Sequence, residues 1–93
     1  MSDTDTLLKE RGSIYGDFSD GIRLEAEILN AINSRHKTHH GHDLDAMSTL
    51  FLSKIAMKLS RLSITPGHVD SWRDIAGYAR LVELHYTKGN TNA

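Results

Sequence analysis

The sequence predicts an all-α protein, a small four-helix bundle built around a long central hairpin over residues 44–63 and 70–86. Three observations predict it. Apolar residues recur at helical spacing through Leu24 to Ile32, Phe51 to Leu62 and Trp72 to Val82. Residues that cap helices, and glycines that stop them, flank those stretches. The only proline, Pro66, is followed by Gly67 between the two longest stretches, and this pair breaks a helix. Neither a strand pattern nor an internal repeat emerges.

The elements follow in order. Thr4 or Asp5 caps a short helix over about 5–11, with Gly12 as its stop. The stretch Arg11-Gly-Ser-Ile-Tyr-Gly-Asp-Phe18 holds two glycines and two aromatics in eight residues and reads as a structured loop. In one reading Ile14, Tyr15 and Phe18 plug the edge of the core. In the other, Arg11, Tyr15 and Gly16 contact a phosphate or a base, the glycines letting backbone come close. Ser19 or Asp20 starts a second helix to about Ser34, with Leu24, Ile28, Leu29 and Ile32 as its apolar face, Glu25 on the flank and Glu27 toward solvent. Residues 35–43 carry four histidines in seven positions and read as a solvated loop. Imidazole is a common metal ligand, so adventitious nickel or zinc binding is the alternative. The spacing matches no structured zinc motif.

Asp43 caps the third helix, about 44–63, whose core face is Leu44, Phe51, Ile55, Leu59 and Leu62, with Leu52 and Ala56 beside it. Lys54, Lys58 and Arg61 form a basic stripe about 100° from the centre of that face. They converge on an anion, pair with Asp70 and Asp74 across a helix interface, or meet water. Thr49, Ser53 and Ser60 face solvent. In the last helix, Asp70 caps the first turn and Asp74 lies one turn on, on the same face. Trp72, Ile75, Ala76, Ala79 and Val82 make a buried stripe, and Tyr78 is presented beside it. Gly77 sits mid-helix at a cost of about 1 kcal/mol relative to alanine, which predicts close approach of a helix or ligand there. Residues 1–3 and 88–93 read as flexible tails of a single domain spanning 1–93.

Composition narrows the function classes. A chain of 93 residues buries only about 60–65% of its unfolded surface, and oligomerisation is a common remedy, most simply a dimer burying Met47, Leu50 or Met57. The net charge of −1 argues against general nucleic-acid binding and against a DNA-mimicking inhibitor. There is no cysteine, hence no disulfide, thiolate metal site or cysteine nucleophile. The polar, acidic start does not read as a signal peptide, and no apolar run is long enough to cross a bilayer, so a cytoplasmic setting is expected.

Two separated motifs carry a resemblance. Glu10-Arg-Gly-x-x-Tyr-Gly-Asp-Phe18, and Lys58-x-x-Arg61 followed by Asp70-Ser-Trp-x-Asp74-Ile-Ala-Gly-Tyr-Ala, together span about residues 8 to 86. The chain thereby resembles a family of small phage and prophage proteins of unassigned function, which is distantly similar to the MazG-type all-α NTP pyrophosphatases. Those enzymes hold Mg²⁺ with motifs of the form Glu-Glu-x-x-Glu and Glu-x-x-Asp, the carboxylates binding a hard cation that bridges phosphates and activates water. Asp74 falls at the final aspartate. Ser71 stands at the preceding glutamate, Asp70 is one position out of step, and the early helix offers only Glu25 and Glu27.

Three functions follow. The leading one is a non-catalytic phage accessory protein in the host cytoplasm that binds a phosphorylated ligand, a nucleotide first. Arg11, Lys54, Lys58 and Arg61 hold phosphate, and Tyr15, Trp72 or Tyr78 stacks on a base. The second is a divergent Mg²⁺-dependent nucleotide pyrophosphatase with Asp70 and Asp74 on the metal. The third is a protein–protein module that inhibits a host enzyme or defence system.

Overall fold

The computed structural model describes residues 3–90. The chain runs as α1 (Asp3–Tyr15), α2 (Phe18–His40), α3 (Ala46–Ile64) and α4 (Val69–Asn90), with no strand among the described residues. The all-α small bundle and its long central hairpin are as expected, but several boundaries move. Asp3 and residues 88–90 are helical, and residues 1–2 and 91–93 of the expected tails lie outside the described residues.

Backbone chemistry explains each shift. α1 runs through Gly12 and stops at Gly16, which takes the left-handed φ of 81° and donates its N–H to Gly12 O at 2.9 Å. The expected loop therefore shrinks to Gly16 and Asp17. Asp17 caps α2 by accepting from Asp20 N at 3.1 Å. α2 continues six residues past Ser34, because the next left-handed glycine is Gly41, whose N–H reaches Lys37 O at 2.7 Å. Arg35 to His40 are helical, and cations in this last turn suit the helix dipole. Asp45, rather than Asp43, caps α3 by accepting from Ser48 N at 3.1 Å. Asp43 instead accepts from Asn33 Nδ2 at 2.9 Å, while Asn33 Oδ1 accepts from Leu44 N at 2.8 Å, so one asparagine fixes the α2–α3 connection. α4 starts at Val69, and Asp70 lies inside its first turn. His68 is the residue before the helix: its carbonyl accepts from Ser71 N at 3.1 Å and its Nδ1 meets Ser71 Oγ at 2.9 Å.

α3 is the axis of the fold. α2 packs on one flank and α4 on another, while α4 touches neither α1 nor α2. α1 lies across the C-terminal part of α3 and the start of α2. The result is an open layer of three long helices, 56 × 27 × 24 Å. Its buried residues are few: Ala56, Lys58, Ser60 and Leu62 on α3, and Ser71 on α4. Ser60, expected in solvent, is 5% exposed and donates to Gly21 O at 2.8 Å, so α2 and α3 meet through small residues.

The α4 stripe is also rotated. Ser71, Ile75, Tyr78 and Val82 face inward, whereas Ala76 and Ala79 are exposed and Trp72 is 51% exposed. The indole N–H donates to Pro66 O at 2.8 Å, which fixes the ring at the turn. Nothing lies within 4 Å of a Cβ built on Gly77, so no close approach explains that glycine. Phe18, expected at the core edge, is 80% exposed, and Ile14 is exposed too, leaving Tyr15 alone half-buried there. Leu59, expected in the core face of α3, is 39% exposed. Among the described residues no helix is long and apolar enough to cross a membrane.

Candidate functional site

Where α1, α3 and the α3–α4 turn meet, six side chains gather: Tyr15, Lys58, Arg61, His68, Ser71 and Asp74. The left-handed turn at Gly16 brings Tyr15 over α3. A Cβ on Gly16 would stand 2.8 Å from Ile64 Cγ1, so only glycine allows this seating. Thr65 adds a hydrogen bond from its hydroxyl to Ile14 O. The Arg61 guanidinium lies 4.5 Å from the centre of the Tyr15 ring. His68 meets the same ring edge-on at 5.5 Å.

Lys58 points inward at the α3–α4 interface, its side chain only 9% exposed, and its Nζ lies 2.8 Å from Asp74 Oδ2. Asp74 is half exposed. The hydrogen bond from Lys58 holds its carboxyl below the usual carboxylate range, with the charges of Lys58, Arg61 and His68 adding to the effect. Two cations thus face one carboxylate, and the cluster carries a surplus positive charge. Among the described residues no carboxylate pairs with Arg61.

The other expected site residues surround this cluster without joining it. Lys54 and Tyr78 line a groove of about 210 Å³ with Phe51, Leu81 and Val82, one turn along α3. Arg11 is exposed on α1, one turn before Tyr15. Trp72 is held at Pro66. Asp70 lies 3.7 Å from Arg73 Nη1. Mg²⁺ prefers about six oxygen ligands in a near-octahedral shell. Asp74 is already occupied by Lys58, Asp70 is turned to Arg73, and among the described residues no group of three or more His, Asp or Glu side chains is placed to hold a metal ion. These residues do not fit that ion as they stand. His68 and Ser71 are the members of the cluster that sequence reading missed; the signal was a histidine at the end of the Pro66-Gly67 turn with a serine three residues on, the spacing of a helix start.

The model of one family, a domain of unknown function (DUF6378), matches residues 2–85, nearly the whole chain. The chain belongs to DUF6378. No curated protein and no solved structure matches it. The DUF6378 match takes in every member of the cluster, from Tyr15 to Asp74.

This DUF6378 chain carries a second cluster at the far end of α2. The rings of His36 and His40 have centroids 4.4 Å apart, and His42 lies 5.3 Å from His36 and 5.9 Å from His40. His39 stands against His40 at 4.6 Å. His36 Nε2 is buried without a hydrogen-bond partner. Its desolvation, reinforced by His40, His42 and His39, lowers the imidazole pKa, with Asp45 opposing. The histidines expected in a solvated loop lie on a helix end and just past its Gly41 cap, where His39, His40 and His42 are exposed.

Proposed function

We infer that this protein is a non-catalytic binding module for a phosphorylated small molecule, a nucleotide first among the candidates. The observation that carries the reading is the charge balance beside Tyr15: Asp74 neutralises Lys58, and Arg61 supplies the unmatched cation. A guanidinium offers a planar fork that suits phosphate oxygens, and its position over an aromatic ring keeps it oriented. Lys54 stands seven residues before Arg61, about 10 Å along α3. The groove that Lys54 shares with Tyr78 and Phe51 offers an apolar wall for a base while phosphate sits on Arg61. The resemblance to small phage proteins and, distantly, to MazG-type enzymes supports a nucleotide and an accessory role in a host cytoplasm. The Lys58–Asp74 pair favours binding over metal-dependent hydrolysis, because it occupies the carboxylate such chemistry needs.

Titration calorimetry against nucleoside mono-, di- and triphosphates and cyclic nucleotides tests this. At least one gives saturable heat, and Arg61→Ala weakens it tenfold or more, about 1.4 kcal/mol. No heat with any ligand removes the reading. Release of pyrophosphate from a nucleotide with Mg²⁺ or Mn²⁺ would overturn its non-catalytic half.

A further inference from the structure

The α2–α3 connection stands at the opposite end of α3 from Arg61; Ala46 and Arg61 are about 22 Å apart along the helix axis. Three imidazoles gather there. His36 and His40 are one turn apart on α2, so both project from one face, and their ring centres lie 4.4 Å apart. Gly41 takes the left-handed φ of 81° and ends the helix. The chain then returns His42 to the same two rings, 5.3 Å from His36 and 5.9 Å from His40. Two imidazoles on one tetrahedral ion have ring centres about 5 Å apart, given metal–nitrogen bonds of about 2.0–2.1 Å. The three separations straddle that value. Two polar atoms point the same way. His36 Nε2 is buried without a hydrogen-bond partner, and such an atom costs free energy until something binds it. His42 Nδ1 lies 3.0 Å from Asp43 O. A carbonyl only accepts, so Nδ1 carries the proton and the neutral ring keeps its lone pair on Nε2. That is the arrangement that orients a metal-bound histidine.

We propose that His36, His40 and His42 form a site for a divalent late transition metal, with His36 and His40 as a chelating pair on α2 and His42 as the third donor from beyond the cap. The donor set names the class of ion. Nearby carboxylates are already engaged: Asp43 accepts from Asn33 and lies 3.9 Å from Lys37 Nζ, and Asp45 accepts from Ser48 N and Ser48 Oγ. Imidazole nitrogen remains, in a chain with no thiolate. That set suits Zn²⁺, Ni²⁺ and Cu²⁺, and not Mg²⁺ or Ca²⁺, which take oxygen. The end of α2 also favours a cation, because its last carbonyls carry the negative end of the helix dipole. As they stand, the rings do not surround one point. His36 is half-buried and His42 is tied to Asp43, whereas His40 is exposed, so rotation of His40 about its side-chain torsions closes the set. His39 stands against His40 but about 100° around the helix from it, outside the set. A bound ion ties the last turn of α2 to the connection that Asn33 also fixes. The site is independent of nucleotide binding at Arg61.

Zinc titration of the untagged full chain, in competition with a chromophoric chelator, tests it. The chain binds a single Zn²⁺ at micromolar or lower concentration; Ni²⁺ and Cu²⁺ compete for it, and millimolar Mg²⁺ does not. His36→Gln, His40→Gln and His42→Gln each weaken binding at least tenfold, while His39→Gln changes it less than twofold. His40 and His42 are exposed, so their variants keep the fold, which circular dichroism checks. A thermal reading accompanies the titration: Zn²⁺ raises the melting temperature of the chain and of His39→Gln, and raises that of His40→Gln less. Absence of binding overturns the proposal. So does binding that His39→Gln weakens as much as His40→Gln, or uptake of several ions with no change in melting; either result makes the histidines an adventitious surface chelator only.

Discussion

Lys58 carries an ammonium group into the least exposed part of α3 because Asp74 stands 2.8 Å away to receive it. Removing one partner of such a pair strands a charge, while replacing the pair with apolar groups is often harmless. Asp74→Ala therefore lowers the melting temperature, and adding Lys58→Met recovers most of the loss; thermal melts followed by circular dichroism measure both. The carboxyl has a lowered pKa when folded, so its contribution is complete above the usual carboxylate range and disappears as pH falls through the folded value. Asp74→Asn accordingly flattens the acid limb of the stability curve. Glycines divide sharply at this scale. Gly16 holds a φ of 81° and leaves 2.8 Å for a Cβ, so Gly16→Ala costs about 1–2 kcal/mol from the left-handed backbone alone. Gly77 has open space around it, so Gly77→Ala stabilises by about 0.5–1 kcal/mol. Urea denaturation of the two variants shows opposite signs.

At the scale of elements, α2 depends most on solution conditions, because three imidazoles, His36, His39 and His40, crowd its last turns and His42 stands just past its Gly41 cap. His36 is held below its ordinary value first by desolvation and then by His40, His42 and His39, against the pull of Asp45. A base whose folded pKa is lowered stabilises the fold fully above its ordinary value, and that contribution is lost as pH falls. Acidification from pH 7 to about 5 thus loosens the α2 end. Amide hydrogen exchange around residues 36–41 accelerates relative to the α2–α3 contact at Gly21, and His36→Gln reduces the difference. Protection that is unchanged over this range counts against the account. The helix ends make a related point. Asp17 and Asp45 cap α2 and α3, and Gly16 and Gly41 end α1 and α2. All are residue types that sequence analysis weighs, yet it placed two of the stops and the α3 cap too early, and the starts of α2 and α4 too late. A cap is chosen by which nearby side chain can accept from the N–H groups of the first turn, and several neighbouring residues compete for that role.

At the scale of the whole molecule, little apolar surface is buried: Ala56 and Leu62 are the buried hydrophobic residues among those described. The proposed binding of a nucleotide predicts that the ligand raises the melting temperature, as mass action requires of a molecule that binds the folded chain and not the unfolded one. Calorimetric scans with and without nucleotide check this, and a constant transition temperature contradicts it. The sequence by itself determined the helical class, the number of helices, the Pro66 break and which cations and carboxylates the two long helices carry, because these follow from local periodicity, caps and residue chemistry. It also foresaw that the α3 cations meet α4 acids as one of its readings. Only the tertiary structure decided which cation and acid pair, that Ser60 and Ser71 are buried, that Trp72, Ala76 and Ala79 are turned outward, and that His68 joins Tyr15 and Arg61. Those outcomes depend on how far each helix rotates about its own axis. A helix with a single neighbour, as α4 has, is rotated by close contacts at small residues such as Ser71 and by one buried ion pair, and hydrophobic spacing along the chain records neither.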